Sequence, residues 1–343
     1  MNYTTCVLFI TACLLHQGIT GNSSSTTVAE CIVPASVGAV AGSTVAAVTG
    51  QSKKTGAKIG AAVGVVSTVL QDMAVVAQHG APKKELHELV LSADVDAKIV
   101  FLHGAGGGSS DCAPRFKHYF ALPQEVHSFD FPCSAKNFEF IKNVNARHLM
   151  TFTRCAFAQE PEIQHVVDNY SKIVSEGKRV ILFGFSNGGA NALTTMGTHD
   201  LQNVAGLVVI APYDNPVPLM EGVAGGFTRV GLGALRLTSG YNPRGINPDM
   251  VVTSINPDIP VFIACSRRDN VTGLGGVALA HKLKAAGHKN VFLVVINRGD
   301  HNDMFEGPDG YILRNAVHAF FKKIGQKYSP DYAKYYDIEQ ARV

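Results

Sequence analysis

The chain has 343 residues, 46% of them hydrophobic and 17% charged, with a formal net charge of +3. That balance provides for a large core and excludes a disordered chain; because no basic run exceeds two residues, it also excludes nucleic acid as a partner. Seven cysteines without any Cys-x-x-Cys spacing exclude a disulfide framework and a structural zinc site.

Residues 1–21 contain Cys6–Leu15, an apolar run with the length of a signal-peptide core and too short to span a bilayer. Export through it predicts a secreted or membrane-associated protein. No Lys or Arg precedes the run, which keeps the cytoplasm as the alternative.

Residues 22–85 form a glycine-rich extension of small residues. Gly38 with Gly42 and Gly60 with Gly64 repeat at the four-residue spacing that lets helices meet backbone to backbone, which suits a membrane-associated hairpin over residues 33–77. Asp72 in its second segment opposes insertion, and a soluble, self-packing region is the competing reading.

From about residue 86 to 325, apolar runs alternate with helical stretches, which predicts an α/β fold with a mainly parallel, doubly wound sheet. The first expected strands are Leu86–Leu91, Lys98–Leu102 and Glu125–Phe131. The second leads into His103-Gly104-Ala105-Gly106-Gly107, a loop rich in unencumbered N–H groups, in which His103 is expected to brace the backbone. Ile163, Val166, Val167, Tyr170 and Ile173 mark a helical stripe. The strand Arg179–Phe183 then runs into Gly184-Phe185-Ser186-Asn187-Gly188, followed by a proline-free helical stretch. Glycines flank the serine because a Cβ there would collide with the neighbouring strand or helix.

After the strand Ala205–Ile210, residues 212–257 are too long for a plain connection and predict a lid. Phe227, Val230, Ala234 and Leu235 share one helical face in it, suited to an acyl chain or to packing on the sheet. The strand Pro260–Ala264 presents Asp269 in its following loop, and the last strand, Asn290–Ile296, presents His301. A final helix carries Ile312, Ala316, Ala319, Phe320 and Ile324, and a tail, 326–343, is expected at the surface. One pair among Cys112, Cys133 and Cys155 is placed to bridge in an oxidising compartment, without a basis in sequence for choosing it.

A serine hydroxyl becomes a nucleophile only when an imidazole accepts its proton and a carboxylate fixes that imidazole. In a parallel sheet such groups gather beyond the carboxyl ends of strands, and Ser186, Asp269 and His301 follow three of them. Asp300 and Asp303 are tethered too closely to His301 to turn onto its ring, and Asp258 precedes a strand. The backbone N–H of Asn187, with that of Ala105 or Gly106, would supply two donors for a tetrahedral oxyanion.

These motifs, His103–Gly107, Gly184–Gly188, Asp269 and Gly299-Asp300-His301, resemble those of the α/β-hydrolase family over about residues 86–325. The resemblance implies a Ser-His-Asp hydrolase working through an acyl-enzyme, with neither metal nor organic cofactor. The leading expectation is an esterase, lipase or thioesterase acting on a small-molecule or lipid ester. A peptidase with the same triad, and a catalytically silent, membrane-tethered binding protein of the same fold, are the alternatives.

Overall fold

A computed structural model describes residues 97–139, 151, 154–174, 178–219 and 239–343. The chain divides into two units, Met1–Lys84 and Glu85–Val343, and every described residue belongs to the second. The signal-like segment, the paired-glycine segments, the strand expected at Leu86–Leu91 and lid residues 220–238 all lie outside the described residues. Among the described residues no helix is long and apolar enough to cross a membrane.

Among the described residues six strands form one parallel sheet: β1 (Ala97–Leu102), β2 (Val126–Ser128), β3 (Arg179–Phe185), β4 (Val204–Ile210), β5 (Val261–Ser266) and β6 (Val291–Ile296), in the order β2-β1-β3-β4-β5-β6. The main helices are α1 (Ser109–Tyr119), α2 (Glu160–Val174), α3 (Asn187–Thr198), α4 (Gly275–Ala285) and α5 (Gly310–Lys323). The strands read as continuous apolar runs because both of their faces are covered.

Alternate residues of each strand serve opposite sides of the sheet. Val100, Leu182, Val209 and Ile263 pack with Val166 and Tyr170 of α2, Leu193 of α3 and Leu279 of α4. Phe101, Phe183, Val208 and Phe262 pack with Phe116 of α1 and Phe320 of α5. Burial of each such side chain contributes about 1.5–3 kcal/mol, so these two layers are the main source of stability.

The strand expected over Glu125–Phe131 is shorter. Its pairing with β1 ends at Ser128, and the chain then turns inward to bury Phe129 and Phe131. The tail is at the surface, but Ile338 and Ala341 are buried, Arg342 bridges Phe292 of β6, and the Val343 N–H donates to the Val291 carbonyl. A sheet edge left with open backbone groups needs a cover, and the tail provides it for β6.

β1 has β2 on one side and β3 on the other, so the chain reverses its direction of winding between β1 and β3. A crevice opens beyond the carboxyl ends of strands at such a reversal. The loop after β1 and the turn after β3 both lie there.

Candidate active site

The turn between β3 and α3 is forced by close backbone approach. A Cβ on Gly184 would overlap the Gly188 carbonyl, and one on Gly188 would overlap the Leu102 carbonyl of β1. Ser186 between them adopts φ 54° and ψ −121°, a conformation costly for any residue with a side chain. Its N–H donates to the Ile210 carbonyl of β4 at 2.9 Å, which fixes the turn to the sheet.

Three chain-distant side chains meet at this turn. Ser186 Oγ lies 2.8 Å from His301 Nε2, and His301 Nδ1 lies 2.8 Å from Asp269 Oδ2. With an acceptor-only carboxylate on Nδ1, that nitrogen carries the proton, and Nε2 is left to accept from the serine hydroxyl. All three residues are buried, with exposures of 8% for Ser186 and 6% for His301 and Asp269. Phe185 stacks on the His301 ring with centroids 5.1 Å apart and limits its rotation.

Asp269 is saturated with donors. Oδ1 accepts from the N–H groups of Val271 (2.8 Å) and Thr272 (2.9 Å), while Oδ2 accepts from Thr272 Oγ1 (2.7 Å) as well as from His301. Burial alone would raise its carboxyl, but the hydrogen bonds and charge attraction of His301 and the donors on Thr272 outweigh this and hold it below the ordinary carboxylate value.

The His301 loop is anchored on both sides. Ser266 Oγ donates to the Gly299 carbonyl at 2.5 Å. Asp309, at the start of α5, accepts from the N–H groups of Asn297 (3.2 Å) and Arg298 (3.0 Å) and pairs with the Arg298 guanidinium at 2.6 and 2.9 Å. Asp300 accepts from the backbone of Asn302 and Asp303 and takes no part in the relay.

The glycine loop after β1 faces the serine. His103 Nδ1–H donates to the Gly104 carbonyl at 2.8 Å, and Nε2 accepts from the Phe131 N–H at 3.3 Å. Burial lowers its pKa and keeps it in this neutral, bracing form. Of the two oxyanion candidates in the loop, Gly106 spends its N–H on the Cys133 carbonyl at 3.3 Å. Ala105 and Asn187 have no partner for their N–H groups among the described residues.

Beside the loop opens a cavity of about 520 Å³, walled by Phe116, Tyr119, Phe120, Phe185 and Phe305, with the exposed Arg115–Glu306 ion pair also lining it. This volume suits a compact organic group, and its lining is mainly apolar. Such an arrangement can activate a hydroxyl, hold an oxyanion and seat an apolar group side by side.

Several supporting side chains carry little or no signal in the sequence. Thr272 and Asp309 carry weak signals, as a hydroxyl three residues after the acid and as an acidic residue opening a helix. Tyr213, whose hydroxyl donates to Asn187 Oδ1 at 2.6 Å, and Glu162, buried behind the turn, carry no such signal. Of the three cysteines considered for a bridge, the structure brings Cys133 and Cys155 together and leaves Cys112 apart; all are free thiols.

No protein-family model matches the chain, and no curated protein sequence matches it. Among solved structures it is similar to an acylaminoacyl peptidase of Pyrococcus horikoshii, at 16% identity and a TM-score of 0.51. That match covers 76% of this chain but only 42% of the peptidase, so the chain spans less than half of that enzyme's length. A monoacylglycerol lipase of Paleococcus ferrophilus aligns at 17% identity and a TM-score of 0.45, covering 70% of this chain and 99% of the lipase. The likeness to the peptidase is one of architecture.

Proposed function

We propose that this chain, which has the α/β-hydrolase fold, is a serine hydrolase that cleaves a carboxylic ester or thioester bearing an apolar acyl group. The observation that carries the reading is the unbroken line of two 2.8 Å contacts joining Ser186, His301 and Asp269.

Ser186 Oγ attacks the substrate carbonyl carbon as its proton passes to His301 Nε2. Asp269 holds the ring tautomer and stabilises the imidazolium that forms. The carbonyl oxygen, now anionic, accepts from the N–H of Asn187, at the amino end of α3, and from that of Ala105 in the loop after β1. Collapse of this intermediate breaks the bond to the alcohol or thiol, which leaves with the His301 proton. Water then attacks the acyl-serine, gives its proton to His301, and the acid departs as Ser186 recovers its hydrogen.

The aromatic cavity beside the glycine loop supports an apolar acyl group. Replacing Ser186 with Ala is expected to lower kcat by about 10⁴-fold or more on any ester or thioester the protein turns over. Steady-state kinetics over a chain-length panel of both, with matched amides, checks this. Retained turnover in the variant refutes the nucleophile, and an amide cleaved faster than its ester shifts the reading to a peptidase.

A further inference from the structure

Behind the Ser186 turn sits a carboxylate that the relay does not use. Glu162 of α2 is fully buried. Hydrogen-bond donors surround its carboxyl group. Oε1 accepts from the Ala156 N–H at 2.9 Å and from Cys133 Sγ at 3.6 Å; Oε2 accepts from the Ala158 N–H at 3.0 Å, Asn187 Nδ2 at 2.9 Å and Asn191 Nδ2 at 2.7 Å. An ionised carboxylate is costly to bury unless such donors surround it, and every group here is a donor. The sulfurs of Cys133 and Cys155 and a Glu162 oxygen lie within 4.8 Å of one another, and both carboxylate oxygens accept hydrogen bonds from the protein.

The backbone is contorted to serve this group. Phe157 and Ala158 sit at φ 51° and 58°, where non-glycine residues are strained, in the loop whose Ala156 and Ala158 N–H groups donate to the carboxylate. The two asparagines it holds lie one turn apart at the start of α3, and Asn191 Nδ2 also donates to the Asn187 carbonyl at 3.0 Å. Asn187 is thus gripped at both ends of its amide, Nδ2 by Glu162 and Oδ1 by the Tyr213 hydroxyl.

We propose that Glu162 is a positioning residue, which through this grip aims the main-chain N–H of Asn187 at the oxyanion of the tetrahedral intermediate. The proposal rests on the serine-hydrolase reading. Strength in an oxyanion hole comes from donors fixed before charge develops, so loosening one donor affects the transition state more than the bound substrate.

Glu162→Gln sets an amide N–H against this ring of donors, and Tyr213→Phe removes the grip on the other end of Asn187. Each is expected to lower kcat by about tenfold or more with KM changed by less than about twofold. Each also weakens, by a similar factor, the binding of an alkyl boronic acid, whose anionic adduct on Ser186 mimics the intermediate. In an Asn187→Ala background, Glu162→Gln adds little further loss. Folded variants that keep both kcat and boronate affinity, that lose only in KM, or that multiply with Asn187→Ala overturn the proposal. If Glu162→Gln does not fold, Tyr213→Phe decides alone. A wild-type protein neither active nor labelled by a fluorophosphonate overturns the hydrolase reading and this proposal together, whereas an active wild type with unaltered variants overturns the positioning role alone.

Discussion

Ser186 occupies a backbone conformation, φ 54° and ψ −121°, that glycine reaches at little cost and other residues do not. Ser186→Gly is therefore expected to unfold at higher urea than Ser186→Ala, by about 1 kcal/mol or more, although both lack the hydroxyl. Equal stability of the two would show that the turn carries no strain. The glycines around this serine were legible because a chain packing backbone on backbone has no other residue to use, and Leu102 and Gly188 stand where a Cβ would fall. Ser186, His301 and Asp269 were legible because each follows an apolar run. Glu162 was not: it lies next to Ile163 in an amphipathic stripe, and its donors come from separated segments that only the folded chain assembles.

The element that delivers His301 is a loop held from outside by Asp309 and Arg298. Gly299 bends it at φ 107°, and a Cβ there would sit 2.8 Å from Met304 Cα. Asp309→Asn removes the charge that grips the Arg298 guanidinium and the backbone of Asn297 and Arg298. In the proposed mechanism His301 is the base, and a base displaced by a fraction of an ångström loses rate steeply, so this variant is expected to lose about 10–100-fold in kcat with KM little altered. Comparing its kinetics with its circular dichroism checks this; wild-type kcat would mean that the loop holds itself. The rough limits of the buried strands β1 and β3–β6 could be read from their apolar runs, since a strand covered on both faces has no polar alternation to interrupt it, whereas their order in the sheet could not. The limits of β2 could not, because the apolar residues after Ser128 are buried without pairing to β1. The tail is at the surface, but its cover of β6 was not legible, because its apolar residues are scattered among charges and nothing local marks which edge strand they meet.

At the scale of the whole molecule, buried neutral histidines couple folding to pH. His103, His288 and His318 all have their pKa lowered from 6.5, chiefly by burial. His318 Nε2–H donates to the Phe120 carbonyl at 2.7 Å and its Nδ1 accepts from the Ser329 N–H at 3.0 Å, a pattern a second proton would break. Below 6.5 the unfolded chain binds protons that the folded chain refuses, so stability falls as pH drops through that value and is level above it. Asp269 acts lower: with its folded pKa depressed below 3.8, its contribution is present above that value and is lost as pH falls through the depressed one. Urea midpoints measured from about pH 7.5 to 5 should decline with acidification, and His318→Asn should flatten the decline; a flat wild-type profile would contradict this assignment.

The proposed activity rests on one hydroxyl, that of Ser186, at the reversal of a parallel sheet. The most direct measurement is mass spectrometry of the purified chain after exposure to a fluorophosphonate, with the adduct mapped by peptide sequencing. A single adduct on Ser186 is expected, absent from Ser186→Ala and strongly slowed in His301→Ala. An unmodified Ser186, or an adduct carried by another residue in its place, would contradict it.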